Sequence, residues 1–384
     1  MRVLIVMTSR EVGGAELYVE RLTRALASRC QFTIVLPTHP RIDALAQQLA
    51  SHAQIIRLAI EDQRCLPIAV RKVRSLAEQA ADVIHLNSNH PGSRLGILFG
   101  FALSHTSAPL VCVEQRVSLM DDIVVPKVLH SFLPRLFRWS RQGAARVIAV
   151  SRQNAELLTG YYGLRADKIT IVHNGTDLPD FKELDIAQAR AALRAELGLP
   201  EQAIVILTLA RLAPNKGHRY LVEAIPGVLQ AHPNVHFVFA GELNQAEPIV
   251  AQIRALGLQP HVHLLGFRSD TRQLLAASDF FVLPSLAEGF SLALIEALAA
   301  GLPTVATDVG GASEAIRPGE GGFLVPPANS AALATALDRL LSLDEAEMQR
   351  QRSAARLTAQ PFSTQAMAQK TLRVYLNVAR LESV

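Results

Sequence analysis

The chain has 384 residues, 49% of them hydrophobic and 19% charged, an ordinary globular balance whose length favours two domains, or three, with ample core. Its three scattered cysteines, Cys30, Cys65 and Cys112, argue against a disulfide framework or a zinc site and fit a reducing compartment. Residues 1–180 carry 21 Lys+Arg against 15 Asp+Glu, so a basic first half faces a slightly acidic remainder and expects an anionic partner. Nucleic acid is excluded by the lack of any recognition motif or basic–aromatic interleaving.

The opening MRVLIVMTSRE has too short an apolar run for a signal peptide, and no stretch approaches the roughly 18 apolar residues of a membrane span. A cytoplasmic protein is expected. Val3–Met7 reads as a buried strand, and the helix Glu16–Ala27 follows it. Between them stand Gly13 and Gly14, which let backbone approach a ligand closely or simply make a tight turn; they do not form a G-x-G-x-x-G fingerprint. Strands are expected at Phe32–Leu36, Gln54–Leu58, Val83–Leu86, Leu110–Val113, Val147–Val150 and Ile169–Val172, with helical patterns between most of them. This half therefore reads as a doubly wound α/β domain, in which strand ends carry ligands. His85, Asn87 and His90 stand at one such end, and Glu114, Gln115 and Arg116 at another.

Residues 123–142 alternate apolar bulk with Lys127, Arg135, Arg138 and Arg141, and hold the only tryptophan, Trp139. A basic amphipathic helix of this kind can lie on an anionic membrane surface, or pack its apolar face on the sheet and expose its cations. A polar, Pro-flanked stretch from Leu178 to Pro200 marks a linker, with the boundary near 180. The second half starts again with a strand, Ala203–Ala210. Arg211 ends it, and Pro214-Asn215-Lys216-Gly217 turns into a helix starting near His218. Two cations beside a helix N-terminus oppose its dipole, a conflict that an anion between them would remove. Strands Val235–Ala240 and Val262–Leu265 follow, ending at Gly241 and at Gly266-Phe267.

The stretch DFFVLPSLAEGFSLALIEALAAG, residues 279–301, is a strand, a tight loop and a helix in succession. Ser291 stands at the N-cap position, Leu292–Ala300 is the apolar helical run, and Gly301 closes it. Glu288 lies in the loop. Glu296 lies within the helix, where its neighbours three and four away, Leu292, Ala293, Ala299 and Ala300, are all apolar, so its carboxylate needs a partner. A loop amide or a structural cation would serve, as would a ligand hydroxyl. Beyond this unit come a strand Thr304–Ala306 and a glycine-rich turn with Gly310 and Gly311. Then follow Phe323–Val325, the helix Ser330–Ser342 and an amphipathic helix Thr364–Leu381.

Glu288 and Glu296, with seven residues between them in EGFSLALIE, resemble the E-x7-E motif of the retaining glycosyltransferases of family 4, and the resemblance covers nearly the whole chain. It implies a GT-B architecture, two Rossmann-like doubly wound domains facing across a cleft that binds a nucleotide sugar. The domains implied are 1–180 for the acceptor, 181–360 for the donor, and 361–384 as a helix crossing back onto the first. By the same resemblance Glu288 meets the donor sugar hydroxyls and Glu296 the ribose hydroxyls, and Arg211 and Lys216 of an RL…KG pattern clamp the diphosphate. Gly14 of a GGAE loop touches the diphosphate, and Gly241 and Phe267 flank the base. Gly289, Phe290, Ser291 and Leu292 complete the donor-binding set. Val150-Ser151 and Val172 to Asp177 resemble signatures that precede the domain crossover.

Two departures stand out. Ala210 occupies a place where glycine is usual, and Gln115 stands where the family often has a histidine near the acceptor hydroxyl, so the acceptor side is assigned to His85, Asn87 and Gln115 together. No two aspartates are spaced as D-x-D, the pattern with which metal-dependent glycosyltransferases hold a divalent ion, so neither metal nor other cofactor is expected beyond the nucleotide-sugar co-substrate. The acceptor implied is a glycan, a lipid-linked sugar or a small metabolite. A nucleotide-sugar 2-epimerase of the same architecture and a non-catalytic sugar-nucleotide-binding protein are the rival readings.

Overall fold

Short runs of Val, Ile, Leu and Phe that are apolar at consecutive positions build strands buried on both faces, and such strands belong in parallel sheets with helices on either side. The computed structural model describes residues 1–90, 93–117, 132–178, 186–317 and 319–380. These form two units, Met1–Gly175 with Thr364–Val384, and Thr176–Ser363. The limits expected from the sequence were 180 and 361, and the linker residues 179–185 lie outside the described residues.

The first unit is a seven-stranded parallel sheet: β1 (Arg2–Met7), β2 (Gln31–Pro37), β3 (Ala53–Leu58), β4 (Val83–Ser88), β5 (Leu110–Glu114), β6 (Arg146–Ala149) and β7 (Ile169–Ile171). Their order is β3-β2-β1-β4-β5-β6-β7, so the winding reverses between β1 and β4. Leu4, Val6, Ile84, Leu86, Phe99 and Phe137 lie in its core. The second unit has β8 (Ile204–Leu209), β9 (Val235–Ala240), β10 (Val262–Gly266), β11 (Phe280–Leu283), β12 (Thr304–Thr307) and β13 (Gly322–Val325). The order β10-β9-β8-β11-β12-β13 reverses between β8 and β11. At each reversal the loops leaving two adjacent strands diverge to opposite faces and open a crevice at the carboxyl edge.

The helix after β1 runs Gly14–Leu26, two residues earlier than its sequence pattern suggests, so Gly14 is its first residue and not part of the preceding loop. Gly13 is extended and takes the cap position, because the Glu16 carboxylate reaches back to accept from the Gly13 N–H at 2.9 Å. The last helix, Thr364–Val378, belongs to the first unit.

Of the basic stretch 123–142, residues up to 131, Lys127 among them, lie outside the described residues. The remainder forms the helix Leu133–Arg141, which exposes Arg135, Arg138 and Trp139. Arg141 departs from the expected exposed row. It is 1% exposed and pairs with the wholly buried Glu114 at 2.8 Å, because the helix ends against the carboxyl edge of β5. Among the described residues no helix is long and apolar enough to cross a membrane.

Candidate active site

The β8/β11 reversal brings together residues that are 72 apart in sequence. After β8 the chain makes the turn Pro214–Lys216 and enters the helix His218–Ala231. After β11 it passes Pro284 and Ser285 into the loop carrying Glu288. Asn215 O accepts from the Leu286 N–H at 2.8 Å, tying the two loops together. Gly217 makes this approach feasible: its φ is +67°, and a Cβ there would stand 1.9 Å from Pro284 O. On the other side Gly310, φ +61°, leaves no room for a Cβ beside the Glu288 and Gly289 carbonyls, and Gly311 N donates to Gly289 O at 2.8 Å. The Glu288 loop is thus wedged between two glycine turns.

Within that wedge the Lys216 ammonium meets Glu288 Oε1 at 2.6 Å, with the two side chains only 18% and 11% exposed. Ser285 Oγ donates to the same oxygen at 2.7 Å. Ser285 is buried, and its carbonyl accepts from the Thr307 hydroxyl at the end of β12. Three strand ends therefore converge on one carboxylate, and its second oxygen, Oε2, makes no hydrogen bond with the described residues. Ser291 caps the following helix by accepting from the Leu294 N–H at 3.4 Å. The first-turn N–H groups, beginning at Leu292, point back toward the Glu288 loop and add positive potential there. Phe290 is buried with its ring 4.8 Å from that of Phe362, which sets the helix entry. Glu296 accepts from the Thr176 hydroxyl at 3.1 Å, a partner that its apolar helix neighbours made necessary.

The other donor-side candidates sit along the same edge. Arg211 is an exposed side chain directly after β8. Gly241, after β9, approaches the β8 end so closely that a Cβ would stand 2.1 Å from Ala210 O. Phe267 follows the edge strand β10, is 76% exposed, and stands two strand spacings, about 10 Å, from β8.

In the first unit the β1/β4 reversal carries the glycine turn. Glu16 is buried and accepts from the Gly13 N–H and, at 3.3 Å, from Asn89 Nδ2. Burial raises its pKa above the ordinary carboxylate value. Asn87 Nδ2 donates to Ala15 O at 3.0 Å, Gln115 Nε2 to Asn87 Oδ1 at 3.1 Å, and Asn174 Nδ2 to Gln115 Oε1 at 3.1 Å. This amide relay fixes the carboxyl edge. Gln115 can hold such a relay because its amide both donates and accepts.

His85 does not join that edge. It is wholly buried, its Nδ1 meets the Tyr375 hydroxyl of the last helix, and its ring lies 5.9 Å from that of Tyr18. Burial lowers its pKa to about 3, so it stays neutral, and its place among the acceptor-side residues is withdrawn. Alternation along β4 could not separate His85 from Asn87, since both point to one face. Sequence reasoning also missed Ser285 and Thr307. A serine directly after a buried strand is the only local signal for either.

The sequence profile described as Glycosyltransferase Family 4 matches residues 12–179, and that described as Glycosyl transferases group 1 matches residues 189–358. A D-inositol 3-phosphate glycosyltransferase of Nocardia farcinica is 33% identical over 356 residues, covering 89% of this chain and 76% of that protein. The chain belongs to the family 4 glycosyltransferases, with the GT-B fold. Other relatives are matched over less of their length. An uncharacterised glycosyltransferase of Methanocaldococcus jannaschii is 32% identical over 202 residues, 52% of this glycosyltransferase and 51% of that protein. The crystal structure of Anabaena HepE in complex with UDP-glucose superimposes with a TM-score of 0.80 at 25% identity, covering 98% of this glycosyltransferase and all of that chain.

Proposed function

We propose that this glycosyltransferase moves a sugar from a nucleoside-diphosphate sugar to an acceptor hydroxyl with retention of anomeric configuration and without a metal ion. The observation that carries the reading is the Lys216–Glu288 pair held by Ser285 at the β8/β11 reversal. The Lys216 ammonium has three N–H donors, and one is spent on Glu288. Two remain for diphosphate oxygens. Glu288 engages Lys216 and Ser285 through Oε1, which leaves Oε2 to accept from a sugar hydroxyl. Arg211 supplies a second cation to the diphosphate, and Glu296 accepts from ribose hydroxyls.

In the reaction the bond from the anomeric carbon to the diphosphate oxygen breaks, and the acceptor oxygen bonds to the same face of that carbon. The acceptor proton passes to the departing diphosphate oxygen. Charge growing on the diphosphate is met by Arg211, Lys216 and the helix N–H groups, which are already oriented before reaction.

The test uses UDP-glucose as donor and follows products by proton NMR. Expected are transfer or slow hydrolysis that yields the donor's own anomer, at a rate unchanged by EDTA. An inverted product, or loss of turnover in EDTA, refutes the mechanism, and conversion of donor into an epimeric nucleotide sugar refutes the transferase reading. Peripheral membrane contact is part of the same proposal. It is supported by Trp139, Arg135 and Arg138 on one exposed helix. Pelleting with anionic liposomes should fall as salt rises, and salt-independent binding or none counts against it.

A further inference from the structure

Buried polar atoms ordinarily have hydrogen-bond partners, because one without a partner loses its water with nothing in return. Arg116 is half-buried: its Nε is sealed from solvent without a hydrogen-bond partner, and no ion pair among the described residues involves its guanidinium. His90 shows the same feature, with Nδ1 buried and unpartnered. The sheet register sets them side by side. Ser88 pairs with Glu114 at the ends of β4 and β5, and the Gln115 N–H extends the ladder by donating to Ser88 O at 2.9 Å. His90 and Arg116 follow directly, at the carboxyl edge where ligands of open α/β sheets bind.

We propose that Arg116 and His90 form a phosphate subsite for the acceptor, so that the sugar is passed to a hydroxyl compound bearing a phosphate monoester. The proposal rests on the glycosyltransferase reading above and names its acceptor class. A planar guanidinium fork and an imidazole N–H, arriving from two neighbouring strand ends, suit an oxyanion with several acceptor oxygens. The nearby Glu16 does not oppose it: its two oxygens are taken by Gly13 and Asn89, and burial favours its neutral form. Residues 1–180, with 21 Lys+Arg against 15 Asp+Glu, supply a field of the matching sign.

Binding to the full chain saturated with UDP tests this, since UDP occupies the donor's own phosphate site. Glucose 6-phosphate should bind at least about tenfold more tightly than glucose, as one charge-assisted contact of ~1.4 kcal/mol requires. Arg116→Gln should erase that difference and Arg116→Lys restore part of it. Without ligand, Arg116→Gln should melt no lower than wild type, because it breaks no hydrogen bond of the sealed Nε; a structural arginine would show a clear drop in Tm.

Equal affinity for the two compounds in wild type, a difference that survives in Arg116→Gln, or a lowered Tm overturns the subsite. Failure of UDP itself to bind overturns the donor reading instead, and the glucose 6-phosphate comparison then still decides the subsite. Vesicles of phosphatidylcholine with and without phosphatidic acid separate the sources. Arg116-dependent binding only to the acidic vesicles assigns the phosphate to a lipid headgroup, and Arg116-dependent binding of glucose 6-phosphate assigns it to a soluble acceptor.

Discussion

Lys216→Ala is expected to lower kcat by about 10²–10³, a loss of ~3–4 kcal/mol of transition-state stabilisation, with the fold retained. The ammonium is held at 2.6 Å from Glu288 in a site of low exposure, so it is fixed before charge develops on the leaving diphosphate. Glu288→Ala should cost about as much, because it removes the proposed sugar contact and frees Lys216 to swing away from the β8/β11 crevice. Since the two side chains hold one another, the double variant should lose far less than the sum of the single losses. Ser285→Ala is expected to fall between these variants and wild type, acting by loosening the carboxylate. Steady-state kinetics with UDP-glucose, alongside circular dichroism, provides the check. Near-wild-type kcat in either single alanine variant, or strict additivity in the double, would remove this pair from the mechanism.

Glu114→Ala should destabilise the protein by about 3–5 kcal/mol, because it leaves the Arg141 guanidinium buried without its counter-charge. Glu114 and Arg141 are 0% and 1% exposed and meet at 2.8 Å, and Arg141 also donates to Gly96 O at 2.9 Å. For a unit of roughly 200 residues a loss of that size lowers Tm by about 6–20 °C. Glu114 directly precedes Gln115 at the end of β5, so weakening the pair should also disturb the Asn87–Gln115–Asn174 relay. Calorimetry decides the matter, and a Tm within about 2 °C of wild type would show that water or a neighbour compensates the arginine. The contrast with Arg116 is instructive. Two arginines near the end of the same strand differ in that one has a carboxylate within reach and the other has none among the described residues.

Strand positions were readable because parallel strands buried on both faces leave continuous apolar runs, and Phe280–Leu283 and Val235–Ala240 fall where such runs fall. The helix after Ser291 was readable from its cap, its apolar run and Gly301, each a local preference of the backbone. Glu288 and Glu296 were recognisable by spacing and by the absence of polar neighbours around Glu296. These are properties of neighbouring residues, and a chain states them directly.

Other matters depended on which residues come together from afar. That His85 is sealed against Tyr375, 290 positions away, while Asn87 on the same strand joins an open edge, follows from where the last helix docks on the first unit. That Arg141 is buried and paired while the Arg116 Nε has no partner depends on which strand end each meets. That Ser285 and Lys216 share one oxygen of Glu288 depends on the reversal between β8 and β11 and on two glycines that leave the loops room to touch. Residue type and spacing determined the elements and the chemical vocabulary of this protein. The pairing of charges was decided only by tertiary structure, because Coulomb and desolvation energies depend on distances and burial that no local pattern contains.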